Sequence, residues 1–137
     1  MATRIFVNLP VQDLNRSMEF FWALGYSFEP RFSDETAACM IVTDDIYVML
    51  LTHEKFREFS PRPIADARES TEVLLALSCD SHEEVDETFD RAIAAGGTTF
   101  REPVDFGSMY GQSFQDPDGH VWEIFFMDPS AVPEPAS

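Results

Sequence analysis

Gln115-Asp116-Pro117-Asp118-Gly119-His120-Val121-Trp122-Glu123-Ile124-Phe125-Phe126-Met127 reads as a turn that feeds a strand. Asp116 to Gly119 supplies the turn chemistry, and the β-branched and aromatic residues that follow supply the strand, from His120 to Met127. From Val121 to Phe126 both alternating sides are apolar except at Glu123, so the strand is expected to be covered on both sides. Strand geometry points Glu123 to the same side as Val121 and Phe125. A carboxylate there loses hydration, which raises its pKa unless a cation, a donor or a metal compensates. Two fates are open to it: an internal hydrogen bond or edge exposure, and a role in a pocket.

Outward from this stretch the same order of elements occurs twice. In the second half, strand candidates Glu72 to Ser78, Thr98 to Glu102 and Met109 to Gln115 precede the final strand. A helix lies between the first two of these. Ser81 and Glu84 form an S-x-x-E capping box, Val85, Phe89 and Ile93 continue one apolar face, and Gly96 and Gly97 end it. In the first half, strand candidate Arg4 to Leu9 leads to a helix between Asp13 and Gly25. Asp13 is its N-cap, and Leu14, Met18, Phe21 and Leu24 recur at helical spacing. Ser27 to Phe32, Ala37 to Val42 and Ile46 to Leu51 follow as strands, with Asp44-Asp45 as the turn between the last two. The pattern is β-α-β-β-β, repeated in architecture and not in residue identity.

Ile5-Phe6-Val7, Ile46 to Leu51 and Val73 to Leu77 are also apolar on both alternating sides. Helices can cover one side, and the other must meet the second module or an enclosed cavity. The expected fold is therefore α+β, with two βαβββ modules forming a curled mixed sheet around a central cleft. A single domain spans 1–128. Module 1 covers about 3–52, a linker about 53–70, and module 2 about 71–128. The linker carries Pro61 and Pro63 and begins with a short helix around Phe56 and Phe59. The tail 129–137, with Pro129, Pro133 and Pro135, is expected to be extended or mobile.

The chain has 137 residues, 45% hydrophobic and 13% aromatic, which is enough apolar area to build a core and excludes wholesale disorder. Its 9 basic and 25 acidic residues give a net charge of −16, a surface that repels nucleic-acid phosphates and anionic lipids. No nucleic acid and no membrane is expected as partner, and the same field would concentrate a cationic ligand. Cys39 and Cys79 lack the spacing of a zinc or redox pair and read as reduced thiols. With no signal-peptide core and no apolar run of about 18 residues, the expected location is cytoplasmic.

Spacing alone gives little metal or nucleophile chemistry. His82 falls in the first turn of the second helix among acids, His53 follows a strand end, and His120 points away from Glu123 along a regular strand. No H-x-x-x-H, C-x-x-C or E-x-x-H pair occurs, no serine sits in G-x-S-x-G, and Gly107 to Gly111 is no phosphate loop. Asp80, Glu83, Glu84, Asp86, Glu87 and Asp90 read as a solvated helix face.

Val11-Gln12-Asp13-Leu14-Asn15-Arg16-Ser17 leading to Phe20-Phe21 and Leu24-Gly25-Tyr26, together with Asp116 to Glu123, resembles the vicinal oxygen chelate superfamily. That group includes glyoxalase I, the bleomycin resistance proteins and the extradiol dioxygenases. The resemblance spans about 3–128 and implies the duplicated fold. In metal-dependent members the first, fourth, fifth and eighth strands each supply a ligand, commonly His or Gln, then Glu, His and Glu. Carried over, these positions are Phe6, Leu50, Leu74 and Glu123, so Glu123 is the one ligand retained. A two-residue displacement offers Asn8, Thr52 and Glu72 instead.

The resemblance therefore implies no metal and no cofactor, and is nearest to the bleomycin resistance branch. Such a protein binds a small aromatic or cationic molecule in the cleft and is usually a homodimer. The expected cleft residues are Phe6, Asn8, Leu50, Leu74, Met109, Tyr110, Glu123 and Phe125, with Trp122 and Phe126 as further aromatic lining. The alternative is a glyoxalase I-like lyase or isomerase with Glu123 as catalytic acid or base. A third reading is a protein-interaction module with a collapsed cavity.

Overall fold

Asp13 starts the first helix, α1 (Leu14–Ala23), because its carboxylate accepts a hydrogen bond from the Arg16 amide at 3.1 Å. Gly25 follows the helix at φ 104, a left-handed conformation that side chains resist. The longer helix, α3 (His82–Ala94), starts with reciprocal bonds: Ser81 Oγ accepts from the Glu84 amide at 3.0 Å, and the Glu84 carboxylate accepts from the Asp80 amide at 3.1 Å. Between them lies α2 (His53–Phe59), whose cap is Thr52. This helix occupies the start of the expected linker.

In this computed structural model, which describes residues 3–131, the chain forms two compact units that divide after Ser70. The strands of the first unit are β1 (Ile5–Val11), β2 (Ser27–Phe28), β3 (Ala37–Thr43) and β4 (Ile46–Thr52). They form a sheet in the order β1-β4-β3-β2, with β1 parallel to β4 and the other pairs antiparallel. The second unit repeats this with β5 (Leu74–Ser78), β6 (Val104–Asp105), β7 (Met109–Gln115) and β8 (Val121–Met127), in the order β5-β8-β7-β6. Again the first strand runs parallel to the last. The duplication expected from the sequence is present as two mixed, open four-stranded sheets.

Beyond β5, which starts two residues later than expected, two strands are cut to two residues each. β2 stops at Phe28 because Pro30 lacks the amide a ladder needs, and Pro30–Phe32 turns as a 3-10 helix. Thr98 makes an isolated bridge to Gln115, and β6 forms only beyond Pro103, at Val104–Asp105. Pro129–Ala131 also forms a 3-10 turn, so the start of the tail is not extended, and the remainder of the tail lies outside the described residues.

The helices α1 and α3 cover the middle of their sheets, α1 packing on β3 and β4 and α3 on β7 and β8, while α2 packs on β1 and β4. Leu9, Met40, Val48 and Leu50 form the first unit's core with Phe20 and Phe21; Phe114, Trp122 and Ile124 form the second with Val85 and Ala92. The edge strands β1 and β5 are not covered on both sides as expected. Ile5 and Phe6 at the start of β1, Leu74 at the start of β5 and Val73 just before it are exposed. Among the described residues no helix is long and apolar enough to cross a membrane.

Candidate functional site

Residues paired directly across a ladder point to the same side of a sheet. In the second unit Glu123 is paired with Ala76 on β5 and Ser113 on β7, and Phe125 with Gly111. Their side is the one opposite α3. It borders a cavity of about 420 Å³ to which Met109, Val104 and Phe106 contribute apolar walls, with Glu123 and Arg101 as its charged residues. Glu123 is half-buried, and among the described residues no hydrogen bond or ion pair reaches its carboxylate. The Arg101 guanidinium lies over the Phe100 ring, 5.1 Å from its centroid.

Gly111 keeps β7 close to β8 at this cavity. A Cβ there would stand 3.2 Å from the Ile124 carbonyl oxygen and 3.3 Å from the Phe125 Cβ. Beneath the other side of the sheet, Tyr110 donates its hydroxyl to Asp86 of α3, and the Gln112 amide donates to the same carboxylate at 2.7 Å. The His82 ring stacks on Tyr110 with centroids 3.5 Å apart, its Nδ1 lying 3.8 Å from Asp86. Burial and the hydrogen bond it donates to Asp86 push the Tyr110 phenol up to about 12.

The turn before β8 is built around a buried acid. Asp116 accepts from the amides of Asp118 at 2.9 Å and His120 at 3.1 Å, and from the Trp122 indole at 3.0 Å. Burial raises its pKa, opposed by the charge of His120 and the indole bond. Gly119 completes the turn at φ 90.

In the first unit Phe6 stacks on Tyr47 with centroids 4.8 Å apart, and the Asn8 amide donates to the Phe6 carbonyl at 3.1 Å. Asn8 also borders a groove of about 580 Å³ with Leu51 and the α2 residues Phe56 and Phe59. Leu50 shares its side with the buried Leu9 and lies away from Asn8 and Leu51. Thr52 spends its hydroxyl on capping α2, and Glu72 precedes β5 in exposed chain.

The family model of the Glyoxalase/Bleomycin resistance protein/Dioxygenase superfamily matches residues 5–124. The chain belongs to this superfamily. Among solved structures, a hypothetical protein from S. aureus is 30% identical, with a TM-score of 0.77 over 92% of this chain and 95% of that one. A glyoxalase/bleomycin resistance protein/dioxygenase family enzyme from Burkholderia phytofirmans is 22% identical, with a TM-score of 0.76 over 92% of this chain and 99% of that one. The fosfomycin resistance protein FosX from Listeria monocytogenes shares the fold at 22% identity and a TM-score of 0.67, over 99% of this chain and 96% of that one. No curated protein matches the sequence.

The superfamily's metal does not fit the residues found here. The ladder neighbours of Glu123 are Ala76 and Ser113, and among the described residues no group of three or more His, Cys, Asp or Glu is placed to hold an ion. Of the expected cleft residues, the fold gathers Met109, Glu123 and Phe125 on one cavity. Leu74 lies on the same side of the sheet but at its exposed edge, 58% accessible. Phe6 and Asn8 belong to the first unit. Leu50, Tyr110, Trp122 and Phe126 point to the helix-covered sides, because their ladder partners place them out of phase with Asn8 and Glu123.

Sequence reasoning missed Arg101, which lies within the expected strand Thr98 to Glu102, and Val104 and Phe106, which follow it. The available signal was Pro103, directly after that segment, beyond which the β6 pairing starts at Val104. The His82 to Asp86 spacing puts both on one helix face, where the half-exposed His82 ring stacks on Tyr110.

Proposed function

We propose that the chain is a small-molecule-binding member of its superfamily, holding an apolar or aromatic ligand with a cationic group in the second unit's cavity, without a metal of the family's ligand set. The observation that carries this reading is the half-buried Glu123 carboxylate, which has no partner among the described residues and borders a cavity walled by Met109, Val104 and Phe106. Such a carboxylate gains most from a ligand cation that replaces its lost hydration. The fold is shared with a structure described as a fosfomycin resistance protein, which is in keeping with a small-molecule ligand.

Calorimetric titration with 2-phenylethylamine tests the reading. Saturable binding is expected, weakened about tenfold in Glu123→Gln, in line with one charge-assisted contact. Stoichiometric, tight binding of nickel, zinc or iron(II) that depends on Glu123 would overturn metal independence. Turnover of the methylglyoxal-glutathione hemithioacetal, abolished by Glu123→Gln, would replace the binding role with a glyoxalase-like one.

The same proposal has the chain acting in the cytoplasm as a homodimer. Exposed Ile5 and Phe6 on the edge strand β1 support a pairing surface. Light scattering is expected to give twice the chain mass, and a monomer mass at micromolar concentration would remove the dimer.

A further inference from the structure

We infer that the ligand of the second unit's cavity is a zwitterion, carrying an anionic group for Arg101 as well as a cationic group for Glu123; this rests on the reading of that cavity as the binding site. Glu123 and Arg101 border one cavity whose remaining walls are largely apolar, and they form no ion pair with each other. A ligand with only a positive charge would satisfy Glu123 and be repelled by the guanidinium. A ligand with only a negative charge would meet the reverse. Glu123 is half-buried and Arg101 exposed, so the repulsion is partly screened, and a molecule bearing both charges on an apolar body removes it while gaining both attractions.

The position of Arg101 is fixed by the fold. The Thr99 hydroxyl lies 3.0 Å from the Ser113 carbonyl oxygen and 3.1 Å from that of Arg101, which ties the Arg101 segment to β7. Ser113 is the ladder partner of Glu123, so the basic residue is anchored beside the strand position facing the acid. With 9 basic residues against 25 acidic ones, a cation at this cavity runs against the chain's overall composition. Its planar guanidinium suits a carboxylate or phosphonate held by two hydrogen bonds.

The test is calorimetry on the full chain with phenylalanine and 4-(aminomethyl)benzoate, two zwitterions of short and long charge separation. Their single-charge counterparts are 2-phenylethylamine and benzylamine, and 3-phenylpropanoate and benzoate. At least one zwitterion is expected to bind about tenfold more tightly than its amine, a difference of about 1.4 kcal/mol. In Arg101→Gln that gain is expected to vanish, so the two affinities converge. Amines that bind as tightly as both zwitterions overturn the zwitterion and leave the cation-binding reading standing. Absence of binding by every probe at millimolar concentration overturns both.

Discussion

Asp116 and Glu123 come from one stretch of chain and meet burial in opposite ways. Asp116, 5% accessible, is surrounded by donors: two backbone amides and the Trp122 indole. Its raised pKa means that the charged form weighs against folding above the ordinary aspartate range and that protonation relieves this on acidification. Asp116→Ala would leave those donors unsatisfied, and a loss of roughly 2–3 kcal/mol in denaturant unfolding is expected. Asp116→Asn should lose less, since its oxygen can still serve the two amides, although its amino group would face the indole. At Gly111 the expected effect is on binding: Gly111→Ala pushes on Phe125, and probe affinity should fall at least threefold while the fold persists. The turn itself was legible from Asp116 to Gly119. The indole bond was not, because it depends on the turn returning Trp122 toward Asp116.

At the scale of elements, the helices were legible because caps and apolar spacing specify both their ends and their buried faces. Ser81→Ala should cost about 1 kcal/mol, read from urea unfolding, since Ser81 holds the Glu84 amide. The strands were legible in number and less so in phase. β4 is apolar on both sides, so alternation could not say whether Leu50 or Leu51 faces away from the helix, and the mixed β7 left the same choice open between Tyr110 and Gly111. Ladder register decides, and it places Tyr110 against Asp86 of α3. The Tyr110 phenol is raised from 10.0 to about 12 in the folded chain, so its stabilising contribution is present below pH 10 and lost as pH climbs toward 12. Thermal unfolding should show this decline in the wild type, and Tyr110→Phe should flatten it.

For the whole molecule, the duplicated order was readable because it depends on element sequence alone, whereas the cavity depends on which loop returns to which strand. Arg101 and Phe106 entered the site through such a loop. The net charge of −16 opposes compaction through self-repulsion that salt screens. The unfolding temperature is therefore expected to rise by several degrees between 10 mM and 300 mM sodium chloride; a fall would show that local ion pairs outweigh the repulsion.

In each unit the opening strand is hydrogen-bonded, in parallel, to the closing one: β1 to β4 and β5 to β8. During synthesis, therefore, β5 waits without its partner strand, its backbone hydrogen-bonded to water, until Val121 to Phe125 have left the ribosome. A stop codon between β5 and β8 would release a second unit with no partner strand for β5, its apolar edge suited to aggregation or to capture by a chaperone.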